Sequence, residues 1–292
     1  MTLIKEFLND IQNINTKRQY TASLMSFDAF CNKEGIDPVD NDYRKVAQAT
    51  RAWMAENGWT DGTARAKVAC IRSFYTWLKR QGWWSQENPA EAITIVQKEV
   101  DSFVPDSISP ELANKVIAYY EGKVNRRDAI SYRNYVMCLI LRYSGVRVSE
   151  LLDLQLKDIN LENGDICIKH AKRNKWRYTR VSPKTVTAIK NWLKNFGMES
   201  DDYIFLNPAT QKSICASQIS SVLTKGAECA KLTDDEIKQI GHPHAWRHLW
   251  TVGLINKEIP LTTIAKMGGW SSVDMVYYYA KGVQTELATE GD

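Results

Sequence analysis

The stretch G-H-P-H-A-W-R-H-L-W-T, residues 241–251, decides how the C-terminal part of the chain folds. His244 and Arg247 stand three positions apart, and on a helix this spacing puts both side chains on one face. The apolar residues around and after them recur with helical spacing at Leu249, Val252, Leu254 and Ile255. We therefore predict a helix that packs on a core and directs two basic groups towards one anion.

A second short helix and a run of tyrosines follow this stretch. Pro260 is suited to a helix start and predicts a helix over Leu261–Met267, which Gly268-Gly269 ends. Three consecutive tyrosines, Tyr277–Tyr279, then complete the segment. Basic groups, glycines and phenols so close together make a poor core, so they predict a functional site.

Length and composition are those of a globular protein. The 292 residues predict about two domains, and 44% hydrophobic residues can form a core in each. The longest apolar run, Tyr135–Leu141, is far too short to span a bilayer, so we expect a soluble protein in the cytoplasm with no membrane partner. Six scattered cysteines without a C-x-x-C pair favour reduced thiols. The net charge of +4 is only weak support for a polyanionic partner.

The pattern of helix and turn signals divides the chain into three segments. We predict a helical domain over residues 1–97, a linker over 98–108 and a second domain over 109–292. In the first domain the candidate helices are 3–11, 16–34, 43–57 and 63–81. In the second domain the helical patterns cover 111–119, 129–143, 184–196 and 217–225. The sequence therefore predicts a mainly α-helical protein with a small β-sheet near residues 158–183.

Basic residues lie between the apolar positions of the fourth helix, at Arg65, Lys67 and Arg72. They form either a solvated face or a face that contacts phosphates. Nearby acids keep this domain close to neutral, so the sequence leaves both alternatives open.

Arg147 lies at a predicted helix start directly after a glycine turn, in G-V-R-V-S-E-L-L, residues 145–152. Unpaired backbone N–H groups at a helix start favour anions, so Arg147 is a candidate anion ligand. The alternative is a surface arginine paired with Glu150, three residues further on.

The most basic window is a predicted β-hairpin over Lys169–Arg180, which holds six Lys or Arg residues and no acid. The turn is expected at Arg173-Asn174, and the basic residues are Lys169, Lys172, Arg173, Lys175, Arg177 and Arg180. Repulsion between these charges would be relieved by a phosphate backbone. A solvated hairpin tip is the alternative.

A metal site is the main alternative to an anion-binding site near residues 241–251. His242, His244 and His248 form H-x-H-x-x-x-H, and histidines at i and i+4 can ligate zinc. The chain lacks H-E-x-x-H, and Arg247 would place a cation beside the metal, so we expect no metal and no cofactor.

Taken together, the motifs resemble those of the tyrosine recombinases, the phage-integrase and Xer group. The motifs that carry the resemblance come in family order: residues 145–152, 171–177, 244–248 and 268–272, with Tyr279 nine residues beyond Trp270. The resemblance covers most of residues 105–283. It implies a helical N-terminal core-binding domain followed by an α+β catalytic domain.

The resemblance also implies a role for each motif residue. Arg147 and Arg247 would hold the scissile phosphate, with Glu150 supporting the first of them. Lys172 would protonate the leaving 5′ oxygen, with Lys175 as its rival, and Tyr279 would be the nucleophile. His244 opens the H-x-x-R motif, and Trp270 replaces the second histidine of many members, so proton transfer at that position would be dispensable. The implied substrate is a double-stranded DNA site, cut by a homotetramer through a 3′-phosphotyrosine and a Holliday junction without metal or ATP.

General chemistry agrees with these roles. Guanidinium groups bind nonbridging phosphate oxygens bidentately, and nearby cations lower the cost of ionising a phenol, which is about 4 kcal/mol at pH 7. Two other functions remain open. A type IB topoisomerase-like enzyme would relax DNA with the same groups, and a degenerate relative would only bind DNA.

Overall fold

The computed structural model describes residues 2–39, 42–93, 108–124, 128–170, 175–196, 202–207, 210 and 213–280. The chain divides into two compact units, Met1–Asp101 and Ser102–Asp292. Nearly all of the predicted linker, 98–108, lies outside the described residues.

Within its described residues, the first unit contains four α-helices with aromatic packing at their centre. Its helices are α1 Thr2–Asp10, α2 Ile14–Lys33, α3 Tyr43–Glu56 and α4 Asp61–Arg80, followed by a 3-10 turn at Pro89–Ala92. Asn13 and Asp42 cap α2 and α3 through side-chain oxygens that accept from backbone N–H groups. Phe27 packs edge-on against Trp53, and Tyr75 against Trp84.

The second unit is mainly helical and is built around one buried helix. Its helices are α5 Pro110–Lys123, α6 Ala129–Ser144, α7 Val148–Leu152, α8 Pro183–Phe196, α9 Ala216–Cys229, α10 Asp234–Ile240, α11 Pro243–Ile255 and α12 Leu261–Gly268. Residues 274–280 are also helical. Helix α6 is buried over most of its length, and α5, α8, α11 and the hairpin pack against it.

Among the described residues, the sheet consists of two antiparallel strands, β1 Asp165–His170 and β2 Lys175–Arg180. Ile166 pairs with Thr179 and Ile168 with Arg177, and all four side chains are buried. The Asn163-Gly164 turn before β1 is present, but the residues preceding it form a 3-10 turn, Leu156–Asp158, and a single bridge from Ile159 to Ile166. The predicted fold class, mainly α with a small β-hairpin, is confirmed.

One helix was absent from the sequence-based expectation. Helix α10 has seven residues and only two apolar ones, Ile237 and Ile240, which is too few for a periodic pattern. Its start nevertheless carries a capping box, in which Thr233 and Glu236 bond each other's backbone N–H groups. None of the described helices is long and apolar enough to cross a membrane.

Candidate active site

The loop after α6 positions the first arginine. Gly145 ends α6 with φ +63°, and a Cβ at this residue would lie 2.2 Å from Trp250 Cε3, so only glycine fits. Two residues later Arg147 is the N-cap of α7. The Arg147 backbone N–H donates to Glu150 Oε2 over 2.7 Å, and this bond holds the Glu150 side chain at the start of α7.

Glu150 joins two arginines from different elements. Arg147 Nη1 lies 2.8 Å from Glu150 Oε1, and Arg177 Nη2 is ion-paired with Glu150 Oε2. Burial raises the pKa of the Glu150 carboxyl, but the charges of Arg177 and Arg147 outweigh burial and hold the pKa below its usual value. The carboxylate therefore stays ionised and keeps both guanidinium groups in place.

Arg177 differs from expectation. The basic hairpin predicted a DNA-contacting side chain, whereas the Arg177 side chain is only 7% exposed and is ion-paired with Glu150. It follows the inward alternation of β2, which places it beside Ile168 and Thr179. The strand turns this charge towards Glu150, and contact between Arg177 and DNA stays a prediction.

Arg247 is the most deeply buried of the three arginines. It lies on α11 and is 2% exposed, and its two terminal nitrogens donate to the carbonyl oxygens of Gly145 and Gly268. Burial and then the charges of Arg147 and Arg177 lower the pKa of Arg247 to about 9, although Glu150 opposes them. The group stays protonated at pH 7 in a field that remains net positive.

Three consecutive carbonyl oxygens at the end of α12 each accept from a different arginine. The pairs are Met267 with Arg177, Gly268 with Arg247, and Gly269 with Arg147. The last carbonyls of a helix lack partners within the helix and carry partial negative charge, so cations are stabilising there. Gly269 has φ +68° and leaves room for Arg177, whose Cδ would lie 2.6 Å from a Cβ at this position.

Only one of the three consecutive tyrosines faces this cluster. Tyr279 is 4% exposed, whereas Tyr277 and Tyr278 are 56% and 39% exposed. The Trp270 ring contacts both Arg247 and Tyr279. Its centroid is 4.0 Å from Arg247 Cζ and 6.0 Å from the centroid of the Tyr279 ring. Burial raises the pKa of the Tyr279 phenol, and the Arg247 charge partly offsets the rise.

The histidines of α11 lie along the same side. His244 is exposed, and desolvation followed by the charges of Arg247 and Arg147 lowers its pKa, so it is neutral at pH 7. His248 packs edge-on against His244, with the ring centroids 4.7 Å apart, and its Nε2 lies 3.3 Å from the Tyr279 hydroxyl. The sequence alone suggests no individual role for His248 except that of a candidate metal ligand. Its position one turn beyond His244 was the signal for its place in the site.

The metal alternative finds no support in these contacts. His242 is exposed at the N-cap of α11, and the His248 ring contacts a phenol. Among the described residues, no group of three His, Cys, Asp or Glu side chains is placed to hold a metal ion.

The remaining hairpin residues fall into two groups. Lys172 and Arg173 lie outside the described residues, and Lys175 begins β2 opposite His170. Lys169 is ion-paired with Asp158, and Arg180 Nε lies 2.6 Å from Asp165 Oδ1. Both of these cations are at the surface with carboxylate partners.

The basic residues of the first unit lie on α4. Arg65 and Arg72 are exposed. Lys67 is half-buried, with its Nζ 5.1 Å from the Trp59 ring centroid and 5.9 Å from that of Trp53. A cation held over two indole faces has a structural role in addition to any contact with phosphate.

Comparison with known proteins identifies the class. Residues 110–285 match the phage integrase family, and residues 4–82 match the phage integrase N-terminal SAM-like domain. A tyrosine recombinase of Pseudothermotoga lettingae is 24% identical over 268 residues, which cover 91% of this chain and 87% of the relative. Tyrosine recombinase XerD of Staphylococcus saprophyticus is 24% identical over 296 residues, which cover 98% and 96%.

A solved structure shares the fold. The XerH site-specific recombinase, bound to palindromic difH substrate in a post-cleavage complex, matches with a TM-score of 0.75 and 19% identity. The match covers 94% of this chain and 78% of XerH.

The chain therefore belongs to the phage integrase family, whose catalytic-domain match spans more than half of it. It is a tyrosine recombinase of the Xer-like group, a site-specific DNA recombinase. The family resemblance drawn from the motifs is confirmed.

Proposed function

We propose that this recombinase cleaves and rejoins double-stranded DNA through a 3′-phosphotyrosine formed on Tyr279. The observation that carries the proposal is the net positive field around Arg147, Arg177 and Arg247 beside the buried Tyr279 phenol. An anion bound there would relieve the mutual repulsion of the guanidinium groups.

In the proposed reaction, Arg147 and Arg247 bind the nonbridging oxygens of the scissile phosphate, where negative charge grows in the transition state. The Tyr279 oxygen attacks phosphorus, and the bond from phosphorus to the 5′ oxygen breaks. His244 accepts the phenol proton, because a neutral imidazole has a free lone pair. Trp270 supports Arg247 by packing over its guanidinium.

Lys172 protonates the departing 5′ oxygen, with Lys175 as the alternative donor. Rejoining reverses the step with the 5′ hydroxyl of another strand, so the energy of the broken bond is conserved in the phosphotyrosine and no ATP is needed. The reaction requires no metal ion, because the arginines supply the charge that a metal would otherwise provide.

The partners follow from this chemistry. The substrate is a DNA recombination site in the cytoplasm, and the working assembly is a homotetramer that passes through a Holliday junction. XerH bound to its difH substrate supports the DNA partner, since it shares the fold over most of this chain. Arg65, Arg72, the exposed hairpin residues Lys169 and Arg180, and the predicted hairpin cations Arg173 and Lys175 would contact the DNA backbone.

The test is covalent trapping on DNA that flanks the gene of this protein and carries a nick near the scissile phosphate. Loss of the short nicked fragment prevents religation, so wild-type protein should accumulate an SDS-resistant adduct. Tyr279→Phe should form none, while Tyr277→Phe and Tyr278→Phe should stay within a fewfold of wild type. An adduct on Tyr279→Phe would overturn the nucleophile. Relaxation of supercoiled plasmids that lack any preferred site would instead favour a type IB topoisomerase-like enzyme.

A further inference from the structure

The hydroxyl of Tyr279 has a histidine neighbour to which the motifs assign no task. The Tyr279 oxygen lies 3.3 Å from His248 Nε2, and the two rings pack edge to face with centroids 4.7 Å apart. Both residues come from helical segments, α11 and 274–280, that bring a neutral donor-acceptor group to a phenol 31 residues away in sequence.

The imidazole of His248 is neutral at physiological pH. Burial, and then the proximity of His244 and the Arg247 charge, lower the pKa of His248 to about 4. A neutral imidazole carries one N–H donor and one lone pair, so its two nitrogens have opposite roles.

The other ring nitrogen indicates which role each one takes. His248 Nδ1 is fully buried and has no hydrogen-bond partner within the described part of the chain. A buried N–H without an acceptor is rarer than a buried acceptor without a donor. The proton therefore belongs on Nε2, which faces the phenol, and Nδ1 keeps the unused lone pair.

We propose that His248 is a positioning residue for the nucleophile. Its Nε2–H donates a hydrogen bond to the Tyr279 oxygen and orients the phenol. This hydrogen bond strengthens as negative charge develops on the oxygen. A hydrogen bond to the charged form of an acid favours that form. His248 thus opposes the effect that burial has on Tyr279. This proposal rests on the proposed nucleophilic role of Tyr279.

The same geometry argues against His248 as the base that takes the phenol proton. An imidazole with a pKa of about 4 is a poor acceptor for the proton of a phenol whose own pKa is raised by burial. A second positive charge there would also add to the field of Arg247. Donation without proton transfer avoids both costs.

Two readouts test the proposal, and the first uses wild-type protein without DNA. Nitrogen-15 NMR of the full chain, with the resonance assigned by comparison with His248→Gln, reports which ring nitrogen bears the proton. At pH 7 we expect a neutral imidazole protonated on Nε2. An imidazolium, or a proton on Nδ1, would overturn the proposal whatever the enzyme does to DNA.

The second readout is the rate of adduct formation on the nicked substrate. His248→Leu removes the donor and keeps an apolar side chain, so we expect about a tenfold slower reaction, the order set by one hydrogen bond. His248→Gln carries an amide N–H to nearly the same point and should recover to within about threefold. His242→Gln and His242→Leu, which change an exposed histidine six residues earlier, are the matched controls and should match each other.

A modified substrate separates the nucleophile from the leaving group. With sulfur in place of the bridging 5′ oxygen the leaving group needs no proton, so a defect in leaving-group protonation disappears. The His248→Leu defect should persist. Its disappearance, an unimpaired His248→Leu, or a His248→Gln as slow as His248→Leu would each overturn the proposal. Failure of the proposed recombinase reaction gives a different result from failure of the His248 proposal. Wild-type protein would then form no adduct, whereas the NMR measurement, made without DNA, would still report the protonated nitrogen of His248.

Discussion

The indole of Trp270 covers the guanidinium of Arg247, with the Arg247 Cζ atom 4.0 Å from the ring centroid. Arg247 is buried and donates to two carbonyl oxygens, and the indole covers one face of its guanidinium group. This packing needs only the face of an aromatic ring and no transferable proton at residue 270.

Replacing Trp270 separates ring packing from N–H donation. We expect Trp270→Phe to keep a ring over Arg247 and to lose less than about tenfold in adduct rate. Trp270→Ala removes the cover and should lose roughly a hundredfold, with unfolding free energy lowered by about 2 kcal/mol. Single-turnover rates and thermal melts measure both. A Phe variant as slow as the Ala variant would show that the indole N–H is what the reaction needs.

Gly268 is expected to tolerate no side chain. A Cβ there would lie 2.0 Å from Trp270 Cζ3, so Gly268→Ala must displace the indole from Arg247. We expect a loss of roughly 1–3 kcal/mol in unfolding free energy and a slower adduct rate. Gly253→Ala, on α11 with nothing within 4 Å, is the matched control and should stabilise by about 0.5–1 kcal/mol. Equal behaviour of the two variants in denaturant titrations would contradict the close approach.

Glu150→Gln should destabilise the catalytic unit, because the change removes a buried carboxylate bonded to Arg147 and Arg177. We expect a loss of about 3–5 kcal/mol in unfolding free energy at pH 7. Glu121→Gln, which breaks an exposed pair with Lys184, is the control and should cost less than about 1 kcal/mol.

The pH dependence of stability should report the same carboxylate. The folded pKa of Glu150 lies below its unfolded value, so its contribution is complete above the unfolded pKa, about 4.3, and is lost as pH falls through the folded pKa. Wild-type protein should therefore lose stability on acidification below about pH 5 more steeply than Glu150→Gln. Parallel curves in denaturant titrations at several pH values would show that Glu150 is not held ionised by the two arginines.

The α4 cations should differ in what they contribute. Arg65→Ala and Arg72→Ala remove exposed charges, so each should weaken DNA binding at all sequences and reduce the salt slope of log affinity by about 0.9. Lys67→Ala should in addition lower the melting temperature, because its ammonium lies over Trp59 and Trp53. Fluorescence anisotropy over a salt series measures the slopes. Unchanged salt slopes would show that these residues form a solvated face and do not contact DNA phosphates.

Much of the fold followed from periodicity. The four N-terminal helices were expected at 3–11, 16–34, 43–57 and 63–81 and lie within two residues of those bounds, because each combines an apolar stripe with turn signals at its ends. The missing element, α10, is too short to show a stripe. The choice of Tyr279 among three neighbours came from the family resemblance, which places the tyrosine nine residues beyond Trp270. Tyr279 is the buried one of the three, while Tyr277 and Tyr278 are exposed, and its role as nucleophile stays a prediction.

The roles of charges within the site were harder to read from sequence. Arg177 was predicted to contact DNA together with the other cations of the hairpin, because the window is basic as a whole. Strand alternation, with Ile166 and Ile168 facing inward and Thr179 opposite Ile166, already placed residue 177 on the buried face. The contact between His248 and Tyr279 joins residues 31 positions apart, and no local pattern predicts which buried partner a side chain meets.

The end of α12 fixes the spacing between the three arginines and Trp270. Its successive carbonyl oxygens at 267, 268 and 269 accept from Arg177, Arg247 and Arg147 in turn, and the next residue is Trp270. Deleting or inserting one amino acid within 266–270 would shift three guanidinium bonds and the indole together, whereas the connection before residue 261 bears no such constraint among the described contacts. Natural relatives are therefore expected to vary in chain length before this helix and to keep the interval from its end to the tryptophan position invariant.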